Sequence, residues 1–510
     1  MKTTRNIFLL LLPAILVAGT ICSCATSAAG VSMPGAASFF EDAEPPKFTT
    51  VSVHDPSVFP ADDGLYYIIG SHLATANTRD FMEWKPVTGD WNSRPNRFYP
   101  QDNPDPNVQT VQAQIADVMR GAQNALGFFA SDIHKMPNGK FYHYYSLTAS
   151  WYCSAIGLAI ADKVEGPYIT QGLIVRSGEA ADGSKTPDGL GVWSVVRHPN
   201  CIDPQAFFDN DGTFWLVYGS WSGGIFICEM DPDTGMRKAG SVLNAENGGY
   251  GRKLIRNNHT GIEGPYIIYS SETQYYYLFV SFGSLAANGG YNIRVFRSRS
   301  PDGPYDDAVY QNMEKNLKYT NFAGYGVKVM GGYQFKNVRG EPGLMNTAYL
   351  SPGHNSVLRD PDTGKYLLIY HQRFAGRGEY HEVRVAELFF NEDGWPVVSP
   401  FRYDGGTVRS FKAEDIAGTW KLINHGKDVN TTPHQSQTYE FLADGTISGS
   451  GRGRWELGSD GKTARVTVDG VLYTGVFLRC WDEDHKAWVQ AFTALSAEGI
   501  ALWGAGAVSK

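Results

Sequence analysis

His54-Asp55-Pro56-Ser57-Val58-Phe59 is a short polar cluster followed by the turn Asp63-Gly64 and the aromatic run Leu65-Tyr66-Tyr67-Ile68-Ile69. Four more clusters of this kind follow: Ala130-Ser131-Asp132-Ile133-His134, Ile202-Asp203-Pro204-Gln205-Ala206-Phe207, Ile262-Glu263-Gly264-Pro265-Tyr266 and Gly353-His354-Asn355-Ser356-Val357. The third repeats the turn as Asp211-Gly212 before Thr213-Phe214-Trp215-Leu216-Val217-Tyr218. The clusters start roughly 60 to 90 residues apart, room for four strands and their loops, which predicts a five-bladed β-propeller. The innermost strand of each blade then faces one axis, so Asp55, Asp132, Asp203, Glu263 and His354 should meet in one funnel. A binding platform on the same repeat would converge too, so the carboxylates must carry the enzymatic argument themselves.

The chain has 510 residues, too many for one small core. Aromatic content of 13% with 57 glycines fits an all-β protein rich in turns. A net charge of −8 argues against a nucleic-acid partner, which a basic face would hold, and is compatible with a neutral polymer. Lys2 and Arg5 precede the apolar run Ile7 to Val17, and Ile21-Cys22-Ser23-Cys24 resembles a bacterial lipobox with acylation at Cys24. An ordinary secretory signal is the alternative reading. Both export the protein, and the lipobox reading anchors it by lipid to a bacterial membrane, in the periplasm or at the cell surface. Cys153, Cys201, Cys228 and Cys480 show no metal-site spacing and read as buried small hydrophobes.

The expected organisation is a lipoprotein signal peptide over 1–23, a flexible tether over 24–46, a propeller over 47–411 and a small antiparallel β-barrel over 412–510. The last follows from short alternating segments such as Thr438 to Leu442 and Ala464 to Val468, separated by turns such as Ser459-Asp460-Gly461. Two insertions, Gly89 to Leu126 and Ser177 to Val196, either wall the active face or decorate the surface. Within the first, Val111 to Ala125 has the spacing of a short helix.

Cleaving a glycosidic bond needs one protonated carboxyl to donate to the leaving oxygen and one ionised carboxylate to activate water or attack carbon. Asp55 and Glu263 are the natural pair. Proline follows Asp55 and is expected to hold that carboxylate on stiff, extended backbone. Ile262 and Tyr266 are expected to desolvate Glu263 and keep it protonated. Asp203 would orient Glu263 and raise its pKa by like-charge repulsion. Any single Asp-Pro is more often turn chemistry, but a propeller has no structural need for four carboxylates aimed at its axis.

His54-Asp55-Pro56, Asn200-Cys201-Ile202-Asp203-Pro204 and Gly261-Ile262-Glu263-Gly264-Pro265-Tyr266, in this order, resemble glycoside hydrolase family 43 and, within it, endo-α-1,5-L-arabinanases. Ser154 to Ala159, Tyr218 to Ile225 and Ala286 to Val295 support the resemblance, which covers about 47–411, and the tail resembles the small barrel appended to some of these enzymes. The resemblance implies inversion, with Asp55 as general base, Glu263 as general acid and Asp203 as pKa modulator. The reacting carboxyls would lie roughly 6.5–9.5 Å apart. It also implies one Ca2+ near the catalytic centre, held largely through water and by His354. Phe129-Ala130-Ser131-Asp132 departs from the family's frequent Trp-Ala-Pro-Asp. Phe129, Asp132, Trp221 and Tyr291, with His54 and Ser154 as polar groups, are the expected substrate contacts, and Trp151 is a further aromatic near the cleft.

The leading expectation is therefore an exported, monomeric endo-arabinanase acting on arabinan or arabino-oligosaccharides. An exo-acting arabinanase, an α-L-arabinofuranosidase or a β-xylosidase on the same fold is the nearest alternative. A glycan-binding surface lipoprotein without catalysis is the third.

Overall fold

The computed structural model describes residues 44–89, 115–122, 127–178, 186, 188–189, 191–315, 319–342, 346–406 and 410–508. The leader, most of the tether and Cys24 lie outside them.

Each cluster lies at or on the inner strand of a blade; four blades are four-stranded antiparallel sheets and the fifth belongs to a six-stranded sheet. Blade one runs Ser57–Pro60, Tyr66–Ile69, Thr75–Thr78 and Trp84–Thr88; blade two runs Phe128–Lys135, Phe141–Ser150, Cys153–Ala161 and Ile169–Arg176. Blade three is Gln205–Phe208, Phe214–Tyr218, Ser222–Met230 and Arg252–Asn258; blade four is Ile262–Ser270, Tyr275–Phe282, Asn292–Ser298 and Val327–Met330. Blade five is Tyr349–Arg359, Tyr366–Phe374, His381–Phe390 and Pro396–Val398, extended past its inner strand by Tyr333–Gln334 and the parallel His434–Gln435. The inner strands of blades one to five pack in sequence, and the fifth closes on the first. Side chains stitch this ring together. Ser57 Oγ donates to Asp132 Oδ1 at 2.5 Å, Ala206 N donates to Asp132 Oδ2 at 2.8 Å, and Gln205 exchanges bonds of 3.1 and 3.3 Å with the backbone of Ile267. Between blades five and one, Ser356 Oγ donates to Pro56 O and accepts from Val58 N.

The tail forms a closed eight-stranded antiparallel barrel from Gly418–Asn424 to Ala501–Gly506. Trp420, Phe441, Phe477 and Phe492 pack ring to ring and fill it. The four folded-region cysteines are buried and free, as expected.

Only Ala116–Gly121 of the expected 111–125 helix is helical among the described residues. It lies on the flank of blade two, where Gly157 makes room: a Cβ there would sit 2.8 Å from Val118 and 2.6 Å from Tyr145. The backbone of the acidic clusters also differs from expectation. Asp55 (φ 57°), Asp203 (φ 60°) and His354 (φ 46°) are left-handed, so the prolines after the two aspartates do not hold them extended. Such conformations cost about 1–3 kcal/mol each and persist where surrounding contacts over-determine them.

Candidate active site

Because strands alternate in direction, the starts of the inner strands and the ends of the second strands lie on one face of the propeller. In four of the five blades a side chain in or just after the second strand reaches the cluster of the next blade around the ring. Ser146 Oγ accepts the N–H of Asp203 at 3.2 Å, Ser281 Oγ accepts that of His354 at 2.7 Å, and Ser220 Oγ donates to Glu263 Oε2 at 2.9 Å. At the fifth junction His371 stands where the others have serine, its Nδ1 accepting the N–H of Asp55 at 3.3 Å. In blade one, Ser71 Oγ donates to Asp55 Oδ2 at 2.6 Å. The sequence signal for these residues was a polar side chain closing each aromatic second strand, as in Ile69-Gly70-Ser71 and Tyr218-Gly219-Ser220.

Asp55 is buried among imidazoles. His54 Nδ1 lies 2.8 Å and His354 Nδ1 3.1 Å from its Oδ1. Arg373 approaches His54 Nε2 at 3.4 Å and can only donate, so Nε2 accepts and Nδ1–H points at the carboxylate. Burial alone would raise the Asp55 pKa, but His354, His54 and His371 together outweigh it and hold the carboxyl well below its usual range. His371 is itself held well below the usual imidazole range, by burial first and then by His54. It stacks on His54 at 4.1 Å and on Tyr291 at 5.8 Å, and its Nε2 is buried with no hydrogen-bond partner among the described residues.

Glu263 has a different surround. Ser220 Oγ and Trp221 Nε1 both donate to its Oε2 at 2.9 Å, which leaves Oε1 to carry a proton. Asp203 Oδ2 accepts the N–H of Gly264 at 3.1 Å. Gly264 has φ 60° and lies against His354, where a Cβ would come within 3.1 Å of the ring. The Asp203 pKa is raised well above the usual range, by burial first, then by Glu263 and Asp55. The like-charge repulsion expected between Asp203 and Glu263 is present, and it acts on Asp203. Tyr266 does not desolvate Glu263 either. A bulge after Glu263 carries it to the other side of the strand, toward Ser57 and Asp132.

The expected substrate contacts divide. His54 and Trp221 are half-buried beside Asp55 and Glu263, and Phe129 is half-buried with its ring 6.0 Å from that of His72. Asp132 is 3% exposed and commits both oxygens to the bonds between blades, with burial raising its pKa to about 6. Ser154 is wholly buried, 3.1 Å from Ser177 Oγ and accepting the N–H of Cys201. Tyr291 is wholly buried beneath the acids, wedged against Gly353, where a Cβ would lie 2.0 Å from its ring. It supports the floor instead of presenting a face to a sugar. Trp151 is on the rim, 49% exposed, its ring 4.5 Å from His259.

A metal site was expected at His354. Among the described residues, His54, Asp55 and His371 bring ligand atoms within 4.8 Å of one another. Two of those three donors are nitrogens, and Ca2+ takes six to eight oxygens, so this set builds no calcium cage. His354 directs Nδ1 at Asp55 and leaves Nε2 for ligation, an arrangement that fits an ion completed by water.

Residues 48–396 match the model of Glycosyl hydrolases family 43, and 400–504 match a C-terminal lipocalin-like domain associated with it. The chain is 44% identical to the extracellular endo-alpha-(1->5)-L-arabinanase 2 of Bacillus subtilis, over 91% of this chain and 94% of that protein. It is 39% identical to the corresponding extracellular enzyme of Thermotoga petrophila, over 90% and 95%. The crystal structure of the endo-1,5-alpha-L-arabinanase from Thermotoga petrophila superposes with a TM-score of 0.81 at 38% identity, covering 91% of this chain and all of that one. That of a family 43 protein from Bacillus licheniformis gives 0.80 at 42% identity, covering 90% and 99%.

Proposed function

We propose that this chain, which belongs to glycosyl hydrolases family 43, hydrolyses internal α-1,5-L-arabinofuranosidic bonds of arabinan with inversion. The observation that carries the division of labour is the contrast between two acids in one funnel. Asp55 is held low by histidines, and Glu263 shares its surroundings with Asp203, a carboxyl held high. An ionised Asp55, fixed by Ser71 and His54, takes a proton from a water on the face of the sugar opposite the leaving oxygen. Glu263 Oε1 delivers a proton to that oxygen, while Oε2 stays bonded to Ser220 and Trp221. Asp203 anchors the backbone after Glu263 through the Gly264 N–H.

His354, through Nε2, would hold a hydrated Ca2+. When bound, the ion supplies positive charge that favours ionised carboxylates nearby. The relatives are named extracellular, which agrees with the leader and supports export of this chain; the lipobox-like Ile21-Cys22-Ser23-Cys24 alone supports lipid on Cys24.

Glu263→Gln and Asp55→Asn test the assignment. Each should abolish arabinan hydrolysis while arabino-oligosaccharide affinity stays within a few-fold of wild type. Retained turnover in either variant would remove that residue from its role.

A further inference from the structure

Aromatic side chains lead away from the general acid in two short runs joined by adjacent residues of the chain. Trp221, bonded to Glu263, meets His259 edge-on at 5.4 Å, and His259 meets Trp151 at 4.5 Å. Trp151 is followed in the chain by Tyr152, whose ring meets Trp193 at 5.8 Å. Trp151 and Tyr152 are each 49% exposed, although both are large and apolar enough to belong in a core. They form the turn between the second and third strands of blade two, which opens on the same face as the acids. His259 is fixed by Ser222 Oγ at 2.8 Å, so the middle of the first run is held in place. Around Asp55, by contrast, the funnel is built of imidazoles and Arg373.

We infer that Trp151 and Tyr152, backed by His259 and Trp193, form a ridge that binds furanose units of the substrate on the leaving-group side of the cleaved bond. The inference rests on the hydrolytic reading above. The geometry assigns the side: the acid protonates the leaving oxygen, so the departing part of the polymer lies by Glu263, and the ridge begins there. Flat aromatic faces suit the apolar C–H faces of sugar rings, and their tolerance of register suits a polymer bound at many positions along its length.

The test compares kcat/KM on a linear α-1,5-arabino-oligosaccharide of six or more units with kcat/KM on an aryl α-L-arabinofuranoside, which lacks the distal units. In Trp151→Ala and in Tyr152→Ala the long-to-short ratio should fall about tenfold, roughly what one aromatic contact is worth, mainly through KM on the long substrate. Trp151→Phe should recover most of it. A ratio unchanged from wild type in both alanine variants, or an equal loss on both substrates, overturns the ridge. Absence of arabinan hydrolysis by the wild-type chain is a separate result, and it overturns the parent reading together with the ridge.

Discussion

Asp203 Oδ2 accepts the backbone N–H of Gly264 at 3.1 Å, so the carboxyl is bonded to the residue next to the general acid. Asp203 therefore acts as an anchor as well as a titratable neighbour of the acids. Asp203→Asn keeps an acceptor oxygen and loses the titratable carboxyl; kcat should fall by about 10²–10⁴-fold with little change in unfolding free energy. Asp203→Ala also leaves the buried Gly264 N–H unpaired and should cost about 1–3 kcal/mol more in stability. Equal stability of the two variants by urea unfolding would contradict the anchoring role.

Ser71 gives Asp55 its shortest hydrogen bond, at 2.6 Å. A bond to a charged group is worth about 1.5–3 kcal/mol, so Ser71→Ala should lower kcat/KM roughly ten- to a hundredfold and move the acid limb of its pH profile upward. Trp221→Phe, which keeps a ring but removes the N–H to Glu263, should act through kcat more than through KM. Wild-type kinetics in both variants would show that these donors do not tune the acids.

Asp132 predicts a pH dependence of stability. Its pKa is about 6 in the fold, against about 4 in an unfolded chain, so folding takes up a proton between those values. The resulting stabilisation is complete below about pH 4 and lost as pH rises through about 6. Asp132→Asn removes this dependence. The stability of wild type relative to the variant should therefore drop by about 2–3 kcal/mol from pH 4 to pH 7. A difference independent of pH would show that Asp132 is not held up by its burial.

Removal of Ca2+ should lower arabinan turnover and melting temperature together, with calcium restoring both. His354→Ala should respond to neither chelation nor re-addition. A rigorously demetallated wild type with full activity and stability would remove the ion from the account.

The propeller was legible because its clusters recur with an acid or histidine just before or within each inner strand, and a repeat of that kind survives loops of any length. The convergence of Asp55, Asp203 and Glu263 was legible for the same reason. What a side chain does after convergence was not. Asp132 shares the pattern of the other acids but faces Ser57 and Ala206, because its position relative to the bulge after Phe129 turns it into the blade interface. Tyr291 looked like a sugar platform, yet Gly353 leaves room for it to sink beneath the acids. Ser71, Ser220 and His371 were passed over because each contacts an acid in another strand, and for Glu263 and Asp55 the donor or acceptor comes from a different blade. Left-handed backbone at Asp55 and Asp203 could not be read before proline, which ordinarily favours extended geometry.

Following polymer size and new reducing ends together on debranched linear arabinan tests the central claim most directly. Internal cleavage predicts a rapid fall in chain length while few reducing ends have formed, with a ladder of oligomers. Chain length that stays high while one small product is released steadily would contradict it and make the enzyme exo-acting.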